Sequence, residues 1–107
     1  MNKDLLEKEA LKFSIEHEVK NGRKPFIVTN AGFDIISGER KIEVRAKKND
    51  GNPIILTKEN IEALNNKENF WLYVVHMDER NKPKMLLKIN KEEIVKRKNE
   101  HVYWEFS

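Results

Sequence analysis

Phe33-Asp34-Ile35-Ile36-Ser37-Gly38-Glu39-Arg40-Lys41-Ile42-Glu43-Val44-Arg45-Ala46 is the stretch that decides how this chain folds. Two runs rich in β-branched residues flank Gly38-Glu39, which marks a two-residue hairpin loop with glycine at its first central position. Such a loop pairs Ser37 with Arg40, and by extension Ile35 with Ile42 and Phe33 with Val44. Those four apolar side chains then share one side of the ribbon, which supports the register on packing grounds alone. The same register sets Asp34 directly opposite Glu43, with Arg45 two residues on and on the same face. Two carboxylates ~5 Å apart repel as a bare pair. A divalent oxygen-seeking cation such as Mg²⁺ or Mn²⁺ reverses that sign. The plainer reading pairs either acid with Arg45, Lys41 or Lys47 on a solvated sheet face. The hairpin alone leaves both open.

Upstream, residues 4–20 read as a helix with two apolar stripes, Leu6/Ala10/Phe13/His17 and Leu11/Ile15/Val19, and hence two packing partners. Glu18 lies near Leu11 and Ile15 on the helical wheel, whereas Glu16 points away, so Glu18 is the helical acid expected to reach the hairpin. Gly22 stops the helix and Pro25 resets the chain to an extended path. Residues 26–29 make the first strand, 33–37 the second and 41–46 the third. Downstream follow a short strand at 54–56, a helix N-capped by Thr57 and running to about Asn66, and strands at 70–75 and 85–89. Asn90 to Glu93 has the spacing of a capping box for a basic helix to Lys98, and residues 101–106 alternate as a last strand. The expected class is α/β with a mixed central sheet, an α-β-β-β-α-β core and a C-terminal β-α-β extension.

A helix carrying Glu, then Asp on the second strand and Glu-x-Lys on the third, resembles the core of the PD-(D/E)XK nucleases, the restriction-endonuclease-like superfamily. Glu18, Asp34 and Glu43-Val44-Arg45 stand in that order here. More specifically, Gly22-Arg23-Lys24-Pro25, Gly32-Phe33-Asp34-Ile35, Ile42-Glu43-Val44-Arg45-Ala46, Leu56-Thr57 and Trp71-Leu72-Tyr73-Val74-Val75 resemble the NO VEIN C-terminal domain family over roughly residues 8–95. That family is a domain of unknown function often appended to helicases and restriction-type proteins. The resemblance implies a DNA-directed, metal-dependent phosphodiesterase scaffold, accessory to a parent helicase or restriction subunit. It implies Asp34, Glu43 and the Val44 carbonyl as Mg²⁺ or Mn²⁺ ligands, Glu18 as an auxiliary ligand, and Arg45 at the position of the catalytic lysine. Arg45 departs from the pattern, because a guanidinium is planar, larger and always protonated. Asn60 departs as well, standing where the Leu-Thr-x-x-Glu pattern has an acid. A module that binds or docks on the same scaffold without cleaving is the rival expectation.

Composition narrows the field. The chain has 107 residues, the size of one domain, and 21 Lys plus Arg against 18 Asp plus Glu leave a net +3 spread along the sequence, which excludes a polycationic tail. The absence of cysteine removes disulfides, thiolate nucleophiles and thiolate metal sites. His17, His76 and His101 lack zinc spacing, and neither a phosphate-binding glycine loop nor a G-x-S-x-G elbow is present. Trp71 and Tyr73 alternate on a central strand, so at least one belongs to the core. Arg40, Lys41, Lys47 and Lys48 crowd the hairpin and its following loop as a candidate nucleic-acid surface, and Lys96-Arg97-Lys98 is a second, more generic basic run. The longest apolar run, residues 70–75, is far too short to span a bilayer, and no signal-like apolar segment opens the sequence, so a cytoplasmic setting is expected.

Overall fold

The computed structural model describes residues 3–97 and the pair 105–106. The chain runs α1 (Lys3–Lys20), β1 (Pro25–Ile27), β2 (Ile35–Ser37), β3 (Arg40–Lys47), β4 (Ile54–Ile55), α2 (Lys58–Asn66), β5 (Phe70–Met77), β6 (Pro83–Asn90), α3 (Lys91–Lys96) and β7 (Glu105–Phe106). Five strands form one mixed sheet in the order β1-β2-β3-β5-β6, in which β3 and β5 are parallel and the other neighbours antiparallel. β4 and β7 form a separate two-stranded ladder. Lys98 and residues 101–104 of the last expected strand lie outside the described residues.

The parallel pair organises the core. β5 is buried from Leu72 to Val75, as a strand covered on both faces must be. Ile35, Ile42, Val44, Tyr73 and Val75 pack under α1 on one face. Phe33, Leu56, Leu64, Phe70, Leu72, Val74 and Ile94 pack on the other face, against α2 and α3. The two-stripe reading of α1 is corrected: one row is buried, made of Leu6 and Ala10 of the first expected stripe with Ser14 and Glu18, while Phe13, Leu11 and Ile15 flank it half-buried and Val19 is 58% exposed. Ala10 and Ser14 are small enough to bring the helix axis close to the sheet, and the Ser14 hydroxyl returns its hydrogen bond to the Ala10 carbonyl.

The hairpin turn is as read, with Gly38 at φ +59° and Ser37 paired with Arg40. Its far end is not. The ladder stops at Ile35–Ile42, and the Asp34 N–H, which a regular ladder would turn away from β3, donates to the Ile42 carbonyl. This irregularity breaks the alternation, so Phe33 enters the α2 core and does not share a face with Ile35. Gly32, at φ +80°, makes the bend possible by lying against α2. A methyl group there would stand 2.5 Å from the Glu59 carbonyl oxygen. Gly32→Ala is expected to destabilise the fold by roughly 2–4 kcal/mol, combining backbone strain with overpacking against main chain. Urea denaturation read by tryptophan fluorescence measures it, and a change under ~0.5 kcal/mol would show that the bend has no such constraint.

Candidate metal centre

β3 outruns β2, so from Glu43 onward one edge of β3 has no strand beside it. Val44 and Ala46 turn their N–H groups toward that edge, and buried edge donors need partners. Two carboxylates supply them. Asp34 Oδ2 accepts from Val44 N at 2.8 Å, and Glu7 of α1 accepts from Ala46 N at 3.2 and 3.4 Å. Between α1 and this edge lies a cleft of about 300 Å³ lined by Glu7, Lys8, Leu11, Asp34, Glu43, Val44 and Arg45.

Glu43 pairs in register with Leu72 and so points to the α2 side, where it is 5% exposed. Its carboxyl lies within hydrogen-bonding reach of Asp34, and burial first, then the Asp34 charge, pushes its pKa up to about 8. Arg45 opposes that shift, donating from Nε to Glu43 Oε2 at 2.7 Å. The ion-pair reading of the hairpin holds for Glu43, which faces Asp34 and is bridged to Arg45. Nη2 of Arg45 donates to Asn60 Oδ1 at 2.5 Å. Asn60 is the third residue of α2, caps its first turn reciprocally with Thr57, and donates from Nδ2 to the Gly32 carbonyl. One buried amide thus ties Arg45, the start of α2 and the bend before Asp34 together.

Glu18 is the correction. It is fully buried on the α1 side of the sheet, the side opposite Glu43, and does not line the cleft. Gly22 ends α1 with φ +79°, the Gly22 N–H reaches the Val19 carbonyl and the Arg23 N–H reaches the Glu18 carbonyl, a Schellman closure that folds Arg23 back over Glu18. Arg23 then grips the carboxylate with Nε at 2.6 Å and Nη2 at 3.0 Å, and the Tyr73 hydroxyl donates to it at 2.8 Å. Burial alone would raise Glu18, but these hydrogen bonds outweigh it and hold its pKa below the usual carboxylate range. The helical acid at the cleft is Glu7, eleven residues and ~16 Å earlier along the helix. Its signal was present in the sequence: Glu7 stands one turn before Leu11 on the same stripe. His17 lies edge-on to the Tyr73 ring at 6.3 Å, and among the described residues no three acidic or histidine side chains converge as a metal cage.

The basic set divides. Arg40 donates to the Tyr73 hydroxyl at 2.7 Å and stacks on Trp71 at 4.1 Å, and Lys41 donates to the Glu39 carbonyl. Lys47 and Lys48 stand at the other end of β3, ~23 Å away. Tyr73 is fully buried and belongs to the core, as expected of at least one of the two aromatics.

Removing Arg23 leaves a buried anion without its main partner, so Arg23→Ala is expected to cost about 3 kcal/mol in chemical denaturation. Glu43 gives a signed pH dependence. Its folded pKa lies above its unfolded value, so its contribution to stability is full below about 4.5, declines as pH rises toward about 8, and levels off beyond. Glu43→Gln is expected to flatten that decline in urea melts taken between pH 5 and 8, and an unchanged slope would assign the decline elsewhere.

The family model for the C-terminal domain of Protein NO VEIN matches residues 6–89, a span that includes every residue of the cleft. A search of curated proteins found no match to the chain.

Proposed function

The chain belongs to the NO VEIN C-terminal family, and on that footing we propose that it is a nuclease-like, DNA-directed domain on a restriction-endonuclease-like core. The observation that carries this reading is the pair Asp34 and Glu43, held face to face beside the free edge of β3 with Glu43 raised to about 8. A protein that keeps two carboxylates in contact without enough positive charge to balance them suits a divalent cation. Mg²⁺ or Mn²⁺ would take Asp34, Glu43 and the Val44 carbonyl, which shares the edge of the Val44 N–H, with water completing the shell. Such an ion supplies a lowered pKa for a bound water and charge stabilisation at a phosphorus centre. Glu7 replaces Glu18 as the auxiliary acid, since it lines the same cleft.

Arg45 carries the difference between cleavage and binding. Two of its five N–H donors go to Glu43 and Asn60, and the side chain lines the cleft, where the remaining donors meet a phosphate. It cannot take a proton from water at neutral pH, so its part is to hold and neutralise the scissile group. The second reading, a module that binds or docks without hydrolysis in a helicase- or restriction-type assembly, is favoured by that same fixation of Arg45 between Glu43 and Asn60.

Calorimetry with Mn²⁺ is expected to give one site whose affinity rises with pH until Glu43 is ionised, and which Asp34→Ala removes. Nicking of supercoiled and single-stranded DNA then separates the readings. Under the hydrolytic reading Arg45→Lys keeps or raises Mn²⁺-dependent cleavage, Arg45→Ala abolishes it, and Asp34→Ala serves as the contamination control. Equal cleavage by wild type and Asp34→Ala would remove the site. No cleavage by wild type, with DNA binding indifferent to Mn²⁺, would leave the binding module standing.

A further inference from the structure

The carboxyl ends of the two parallel strands, β3 and β5, carry a surface that the candidate metal centre does not use. Lys47 of β3 pairs with His76 of β5, and His76 pairs with Met85 of β6. These three side chains form a row across the sheet on the face that also carries Glu43 and Arg45, and Lys47 lies only ~7 Å beyond Arg45 along the strand. Met85 is 52% exposed, so the row presents an imidazole and an apolar side chain to solvent beside a cation. The row lines a cleft of about 400 Å³ with Lys48 and Lys84, continuous with a second of about 670 Å³ that adds Arg80.

Acids lie here too: two of them are hydrogen-bonded within their own turns, and the Asp78 charge also interacts with Arg80 and Lys84. Asp78 accepts from the backbone N–H groups of Arg80 and Lys82, and Asp50 accepts from that of Asn52 while standing 3.5 Å from Lys47. Glu79 also lines the larger cleft. Lys48, Arg80 and Lys84 have no ion-pair partner within 4 Å among the described residues. At the opposite end of β3, by contrast, Arg40 is committed to Tyr73 and Trp71.

We propose that Lys48, Arg80 and Lys84 form a track for the phosphates of a single nucleic-acid strand, with His76 and Met85 beneath its bases, leading into the Asp34–Glu43 cleft. A floor of one imidazole and one apolar side chain edged by cations matches an unpaired strand, whose base faces are open, better than a duplex, whose base faces are stacked. The proposal rests on the nucleic-acid-directed reading above and names the surface that reading requires.

The test is fluorescence anisotropy of a labelled single-stranded oligonucleotide with the full chain at low salt in EDTA, which keeps divalent cations out of the readout. The double variant Lys48→Glu/Lys84→Glu is expected to weaken binding ~10-fold or more and to reduce the slope of log Kd against log salt by about 1.4, or ~0.7 per lost phosphate contact on a single strand. Lys41→Glu, at the other end of β3, is expected to change it less than ~2-fold. An unchanged affinity in the double variant, an equal loss in Lys41→Glu, or tighter binding of the matching duplex would overturn the track. Circular dichroism confirms that each variant is folded, and Arg80→Gln, which leaves both lysines in place, is expected to give a smaller loss of the same sign. Calorimetry with Mn²⁺ keeps the two proposals apart: the double variant retains the Asp34–Glu43 site if only the track fails, whereas intact strand binding with no Mn²⁺ uptake overturns the metal centre alone.

Discussion

Eight residues of β3 lie beside only three of β2, and the chemistry of the cleft follows from that mismatch. A strand edge left half covered exposes donors that must be satisfied without another strand. The fold meets this with side chains instead of backbone, bringing Asp34 in from the bent end of β2 and Glu7 in from α1. Carboxylates suit backbone N–H groups, since an ionised acceptor makes the stronger bond. The consequence is a local excess of negative charge around Glu43, which sits on the same strand and is buried. Anion crowding at this edge is therefore a direct result of how the sheet ends.

Two ionic systems on opposite faces of one sheet show how differently burial can be resolved. Both acids are almost inaccessible to solvent, yet the pKa of Glu18 falls, because Arg23 and Tyr73 direct three hydrogen bonds at its two oxygens. The chain Arg40 to Tyr73 to Glu18 to Arg23 ties the start of β3, the centre of β5 and the end of α1 to one another. Glu43 has one hydrogen bond from Arg45 and a second carboxylate for a neighbour, and its pKa rises. The first arrangement is complete as it stands and locks the helix onto the sheet. The second is left with an unbalanced acid in an open cleft, and perturbed groups of that kind in clefts are where binding and chemistry concentrate.

Much of this was legible from the residues. Gly38-Glu39 set the hairpin loop, Gly22 and Pro25 ended α1 and turned the chain, and Thr57 capped α2, because each of these depends on local backbone chemistry alone. The pairing of Ile35 with Ile42 followed from the loop. Phe33 did not follow, since a one-residue irregularity at Asp34 has no sequence mark of its own and is decided by Gly32 fitting against α2. Glu18 was misplaced for a different reason. A helical wheel fixes the azimuth of a side chain and says nothing of which end of the helix lies over which end of the sheet. Glu7 and Glu18 both flank the Leu11 stripe, and only the antiparallel run of α1 against β3 assigns one to the cleft and the other to the hairpin end. The basic residues were grouped by sequence for the same reason, and the extended strand β3 places Arg40 and Lys41 at one end and Lys47 and Lys48 at the other.

Asn60 and Arg45 are best understood as one adaptation. An acid at position 60 beside a lysine at 45 would share one mobile charge between two carboxylates, Glu43 and its own. Here a neutral amide accepts from the guanidinium and spends its remaining donor on the Gly32 carbonyl, so the positive charge at 45 is directed to Glu43 alone. The planar fork of arginine suits this, because Nε and Nη2 reach two acceptors in fixed geometry where an ammonium would not hold its direction. What position 45 gains in definition it gives up in proton chemistry, since guanidinium stays charged. Under the proposed hydrolytic reading, a proton accepted from water would have to go to a carboxylate. Glu43, facing Asp34 in the cleft, has its pKa raised to about 8 by burial and then by that neighbouring charge.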